Sequence, residues 1–143
     1  MAQSVVVLQS VLVDLLDLGL IGKQAHWNVE GPAFRPVHLQ LDEVVEQLLE
    51  WQDAVAERIS ALAGNPDGRP ATIASSTSVA PLEGGTLRDV DVIKGFSDRL
   101  AAASKSISAK FADLADDLPS QDILVGIVAG LDKAGWFFRA QFA

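Results

Sequence analysis

The sequence predicts an all-α fold: a four-helix bundle whose long middle crossover carries a short extra helix. Three observations predict it. Apolar residues recur every three or four positions in four separate segments. Gly- and Pro-rich stretches break the chain between those segments. Hydrophobic residues make up 49% of 143 positions, enough for a core without staples and too many for a disordered chain. Residues 1–143 are expected to form a single domain.

The first helix is marked by Leu8, Val11, Leu12, Leu15 and Leu18. It should run from about Ser4 to Val29 and stop at Gly31-Pro32. Its apolar stretch, Val5 to Ile21, also needs testing as a leader or membrane span. Asp14 and Asp17 interrupt it, and no Lys or Arg precedes Lys23. A buried amphipathic helix fits better, with no membrane contact. A cytoplasmic location follows by default.

The second helix begins near Phe34 to Pro36 and continues to Leu62. Val37, Leu41, Val44, Val45, Leu48, Val55, Ile59 and Leu62 form its apolar face. Gly64 is expected as its left-handed cap and Pro66 as the breaker. A loop then spans about Asn65 to Gly85, with a turn signal at Pro66-Asp67-Gly68. A structureless loop of this length is unusual in a small domain, so Ile73 to Val79 is expected to form a short helix.

The third long helix is expected to start at Thr86-Leu-Arg-Asp89, a capping-box pattern. Its stripe is Ile93, Phe96, Leu100, Ala103, Ile107, Phe111 and Leu114. The fourth starts at Ser120, after Pro119, and carries Ile123, Leu124, Ile127, Val128, Leu131, Phe137 and Phe138. No repeat, strand-like alternation or phosphate-binding glycine loop is visible.

Composition narrows the chemistry. There is no cysteine, which excludes disulfides and thiol catalysis. The formal net charge of -8 argues against non-specific phosphate binding by the body of the protein. Lys94, Arg99, Lys105 and Lys110 on the third long helix read as a solvated face.

Only two histidines occur, His26 and His38. At roughly 100° per residue, Asp42 lies about 40°, Asp53 about 60° and Glu57 about 100° from His38 around the second helix. The four share one stripe. His26 falls in line with Leu8 and Leu15 on the inward side of the first helix. Polar groups on such faces are costly unless something satisfies them. One ion cannot use the whole set from one chain, because Asp42 and Asp53 are about 16 Å apart along the helix. A two-fold dimer resolves this if the second helix packs antiparallel on its copy, crossing between Gln47 and Leu48. Each of two identical sites then combines His26, His38 and Asp42 with the partner's Asp53 and Glu57. Such ligands suit iron, and also zinc or manganese.

Lys23-Gln-Ala-His26-Trp27-Asn28-Val29-Glu30-Gly31 resembles the signature of the Dps family, the mini-ferritins named as DNA-binding proteins from starved cells. His38-Leu-Gln-Leu-Asp42-Glu43 and Asp53-Ala-Val-Ala-Glu57-Arg58-Ile59 resemble that family's next two motifs. Pro66-Asp67-Gly68-Arg69, Asp132 and Trp136-Phe137-Phe138-Arg139-Ala140 resemble its actinobacterial members. The resemblance implies a ferritin-like bundle and a dimer-based, hollow dodecamer. It implies that His26, His38, Asp42, Asp53 and Glu57 are the ferroxidase ligands. It also implies oxidation of Fe(II), preferentially by hydrogen peroxide, and storage of Fe(III) mineral. Glu-x-x-His motifs of the kind used by single-chain di-iron bundles are absent.

Around the join of the last two helices, Asp113, Asp116, Asp117 and Asp122 are implied as candidates for three-fold iron pores. Asp122 also fits an acid favoured by a helix N-terminus. Trp27 and Trp51 are candidate radical traps, or simply packing residues at the dimer interface. The chain departs from the family name in one respect. Met1 to Gly22 has no Lys or Arg, and only Ala140-Gln141-Phe142-Ala143 follow Arg139. Without basic arms, DNA binding is expected to be weak or absent. The competing readings are a DNA-compacting nucleoid protein with incidental iron binding, a bundle whose polar stripe is structural, and a bundle using another metal.

Overall fold

The computed structural model describes residues 2–143. Helices α1 (Ala2–Asn28) and α2 (Phe34–Ala61) pack on each other as one hairpin. A crossover containing α3 (Pro70–Ser76) leads to the second hairpin, α4 (Asp89–Ser108) and α5 (Leu118–Arg139). Short links within each pair and one long link between them give the ferritin-like arrangement.

The apolar stripes meet in one core. Leu8, Leu15 and Leu18 of α1, Leu41 and Leu48 of α2, Leu100 of α4, and Leu124, Leu131 and Phe138 of α5 are wholly buried. Each such side chain contributes about 1.5–3 kcal/mol relative to exposure. Helix α1 is long and apolar enough to cross a membrane. Its apolar residues are instead used by the bundle, since Leu8 to Leu18 line the core.

The crossover is pinned rather than loose. The Thr77 hydroxyl donates to Asp17 at 2.6 Å, and the Ser78 amide donates to Asp14 at 2.8 Å. The acids that interrupt the apolar run of α1 therefore hold the exit from α3. Arg99 of α4 donates to the carbonyls of Ala80 and Pro81, so it is not simply part of a solvated face. At the start of the crossover, Asp67 accepts from Arg69 and Thr72, while its backbone exchanges two hydrogen bonds with Gln9.

Several boundaries differ from the sequence expectation. The short helix lies at Pro70–Ser76 rather than at Ile73 to Val79, because Pro70 fits a first helical turn. Helix α1 ends at Asn28, and α4 begins at Asp89. Between those ends lies a two-residue parallel bridge of β1 (Val29–Glu30) and β2 (Leu87–Arg88). Its register pairs Val29 with Leu87 and Glu30 with Arg88. The expected capping box does not form, because Thr86 precedes this bridge and α4 has no side-chain cap. Helix α4 also stops at Ser108, leaving Phe111 and Leu114 to the 3₁₀ turn region. Helix α5 starts at Leu118, with Asp117 as its N-cap.

Helix α2 ends in a Schellman motif. Gly64 N–H donates to Ile59 O and Ala63 N–H to Ser60 O, both at 2.9 Å. The left-handed residue is Ala63 (φ 60°) and not Gly64. The hydrogen-bond count places the cap one position before the glycine.

Candidate metal centre

The centre is built where α1 and α2 face each other beside their connecting turn. His26, near the end of α1, is 7% exposed, and His38 comes from the second turn of α2. Their rings stack at 3.6 Å with an interplanar angle of 14°. His26 Nδ1 donates to His38 O at 2.7 Å, and His38 Nδ1 donates to His26 O at 2.8 Å. A carbonyl oxygen can only accept, so both Nδ1 atoms carry the proton. In the neutral ring this leaves each Nε2 with a free lone pair, the form that binds metal ions. Phe34 packs on the outer side of His38 with centroids 5.0 Å apart.

Asp42 lies one turn along α2 from His38. Its Oδ1 is 3.5 Å from His26 Nδ1 and 2.7 Å from Lys23 Nζ. The Lys23 hydrogen bond is the main influence holding the Asp42 carboxyl below its ordinary range; burial opposes it and the charges of His26 and Lys23 assist. Sequence reasoning missed Lys23 as part of the site. The available signal was its position three residues before His26, on the same helix face.

The chain brings together His26, His38 and Asp42, but not Asp53 and Glu57. Both of those are exposed further along α2. His26, His38 and Asp42 are neighbours, but among the described residues they do not form a group of three able to hold a metal ion by themselves. Asp42 and Asp53 instead line two open hollows of about 640 Å³ each, which share Leu16, Leu49, Gln52 and Gly68. Leu20 and Leu49, 60% and 56% exposed, sit on this surface. The result is a continuous apolar groove with Lys23 and Asp42 toward one end and Asp53 toward the other.

The acids near the join of α4 and α5 divide into two kinds. Asp113, Asp116 and Asp122 are exposed. Asp117 is not a free pore carboxylate. It accepts from Arg58 at 2.8 Å and from the Ser120 hydroxyl at 2.6 Å, with its side chain only 15% exposed. Asp122 lies beyond the first turn of α5, which contains no acid, so the helix-terminus explanation for it loses force. Trp51 packs against α5 of its own chain, where a Cβ at Gly130 would overlap its ring. Trp27 is 69% exposed, with Lys23 Nζ 5.9 Å from its ring centroid.

The ferritin-like domain family model matches residues 6–143. The DNA protection during starvation protein of Mycolicibacterium smegmatis is 37% identical over 140 residues, covering 94% of this chain and 74% of the relative. The crystal structure of Dps92 from Deinococcus radiodurans superposes with a TM-score of 0.94 at 31% identity, covering 97% of this chain and 85% of that one. Dps from Microbacterium arborescens, solved in a high iron form, gives a TM-score of 0.92 at 37% identity, covering 99% and 93%.

Proposed function

The chain belongs to the ferritin-like family, among its Dps members, and on that premise we propose that it is a ferroxidase and iron-storage mini-ferritin. Its substrate is Fe(II), its oxidant hydrogen peroxide, and its product Fe(III) mineral held in a hollow, dimer-based dodecamer. In this reading it is a single ferritin-like unit working in the cytoplasm. The observation that carries the proposal is the pair of reciprocal Nδ1–carbonyl hydrogen bonds. They prepare both imidazoles for metal before any metal arrives.

His26, His38 and Asp42 of one chain bind Fe(II) together with the partner's Asp53 and Glu57. The apolar groove between Asp42 and Asp53 supports this arrangement, because closing it on a second copy would bring the two ligand sets together. Two Fe(II) ions each give up one electron. The electron pair cleaves the O–O bond of one peroxide, and two waters supply the remaining oxygen. Two FeO(OH) units and four protons result. Carboxylates favour the higher charge of Fe(III), while the imidazoles retain affinity for Fe(II). Taking both electrons in one encounter limits release of hydroxyl radical.

The direct test is stopped-flow Fe(II) oxidation by peroxide, then by oxygen, on the His26→Gly/His38→Gly double variant. The particle should keep its mass, and the peroxide reaction should slow by at least an order of magnitude, since losing even the outer-shell support of a metal ligand costs about 10–100-fold. An unchanged rate would remove the site assignment. The Microbacterium relative was solved in a high iron form, which supports iron over zinc or manganese.

A further inference from the structure

We infer that Asp89 is a positioning residue for the histidine pair, its buried carboxylate clamping the turn that sets His26 against His38. This rests on reading those histidines as iron ligands. Asp89 is the first residue of α4, yet it is only 2% exposed, and its carboxylate lies against the turn between α1 and α2. Its Oδ2 accepts from the Ala33 amide at 2.6 Å, and its Oδ1 accepts from the Val90 amide at 2.9 Å.

Gly31 completes the clamp. Its φ of +134° suits glycine, and a Cβ there would collide with the Asp89 carboxylate. The absent side chain therefore makes the seat into which Asp89 fits. The parallel bridge of Val29–Glu30 with Leu87–Arg88 brings the start of α4 to the same place.

The route to the histidines is short. The Phe34 amide donates to Gly31 O at 3.0 Å, and the Phe34 ring packs on His38. The two reciprocal histidine bonds each join α1 to α2 across this turn. They require the ends of both helices to keep their spacing, because a hydrogen bond weakens steeply outside its narrow distance range. Asp89 reaches the histidines only through the turn and the Phe34 ring, so it acts as a positioning residue and not as a ligand.

A purely stabilising role makes a different prediction. An acid in the first turn of α4 favours that helix through its dipole, and its loss would lower stability without disturbing the imidazoles. The decisive variants are Asp89→Ala and Asp89→Asn, the latter keeping an oxygen acceptor for Ala33. The assembled, metal-free protein is labelled with ¹⁵N-histidine and its tautomers are read by solid-state NMR. With only two histidines in the chain, the signals are assignable.

The wild type and D89N should show both rings in the Nδ1–H form, while D89A shows a tautomer mixture. Co(II), added as an optical probe, should bind D89A about tenfold more weakly and D89N within a few-fold of wild type, the range set by outer-shell support of ligands. If D89A fails to assemble, Gly31→Ala displaces the carboxylate from the other side and should give the same mixture. Rings still locked in D89A, or in G31A, would overturn the proposal. Co(II) binding that ignores His26→Gly/His38→Gly would overturn the ferroxidase reading instead, while the tautomer measurement would still decide the clamp.

Discussion

Lys23 Nζ donates to Asp42 Oδ1 at 2.7 Å, so the carboxylate beside the histidine pair already holds a cation. The two side chains are 35% and 42% exposed, where such contacts are weak and screened. An arriving metal ion must still displace the ammonium or share the carboxylate with it. Lys23→Gln should therefore tighten Co(II) binding by about two- to fivefold, the range of an exposed ion pair. The gain should shrink as salt is raised. Isothermal titration at low and high salt checks this, and weaker binding in K23Q would show instead that Lys23 organises the site.

Ala63 occupies the left-handed position of the α2 cap at φ 60°. An L-residue with a Cβ is strained there by about 1 kcal/mol, whereas glycine is not. The motif's two backbone hydrogen bonds do not involve the Ala63 side chain. Ala63→Gly should accordingly stabilise the protein by about 1 kcal/mol, raising its melting temperature by a few degrees. A lower melting temperature would mean that the entropy of the unfolded glycine chain outweighs the relieved strain.

The cap illustrates what was readable in advance. Helical periodicity is a local signal, and it carries the four long helices and the shared stripe of His38, Asp42, Asp53 and Glu57. Glycine preference alone pointed to Gly64, while the arrangement of backbone donors makes Ala63 the turning residue. The Asp89–Ala33 bond spans 56 positions, and no periodic pattern announces it. The Arg58–Asp117 bond spans 59. From sequence, Asp117 resembled its exposed acidic neighbours. The reciprocal histidine bonds span only 12 positions, but they use backbone carbonyls, which are invisible in side-chain spacing.

Arg58 and Asp117 join the end of α2 to the start of α5. Burial pushes the Asp117 carboxyl up, but hydrogen bonds from Ser120, Ser4 and Arg58 outweigh it and hold it at about 2. A carboxyl held below its unfolded value of roughly 4 stabilises the fold above that pH, and the contribution is lost as pH falls through about 2. It should be on the order of 1–2 kcal/mol, allowing for solvent screening. Asp117→Asn should lower stability at neutral pH and narrow its deficit against wild type between about pH 4 and pH 2. Urea unfolding across that range measures the gap. A constant gap would assign the loss to capping geometry alone.

Relatives named for DNA protection invite the expectation that this chain holds DNA, but its charge distribution opposes that. The net charge is -8. Of the eleven Lys and Arg residues, four are engaged: Lys23, Arg58 and Arg69 are paired with Asp42, Asp117 and Asp67, and Arg99 is committed to backbone carbonyls. The seven others of the eleven are outnumbered by nineteen Asp and Glu in the chain. Phosphate binding gains its free energy from counterion release by available cations. We therefore expect no retardation of duplex DNA in about 150 mM salt at protein concentrations up to roughly 10 µM. The same preparation should still prevent nicking of plasmid by Fe(II) and peroxide, because consuming both reagents protects DNA without touching it. The His26→Gly/His38→Gly variant should lose that protection. Tight binding in the gel, or protection that survives loss of both histidines, would favour a DNA-coating protein over a ferroxidase.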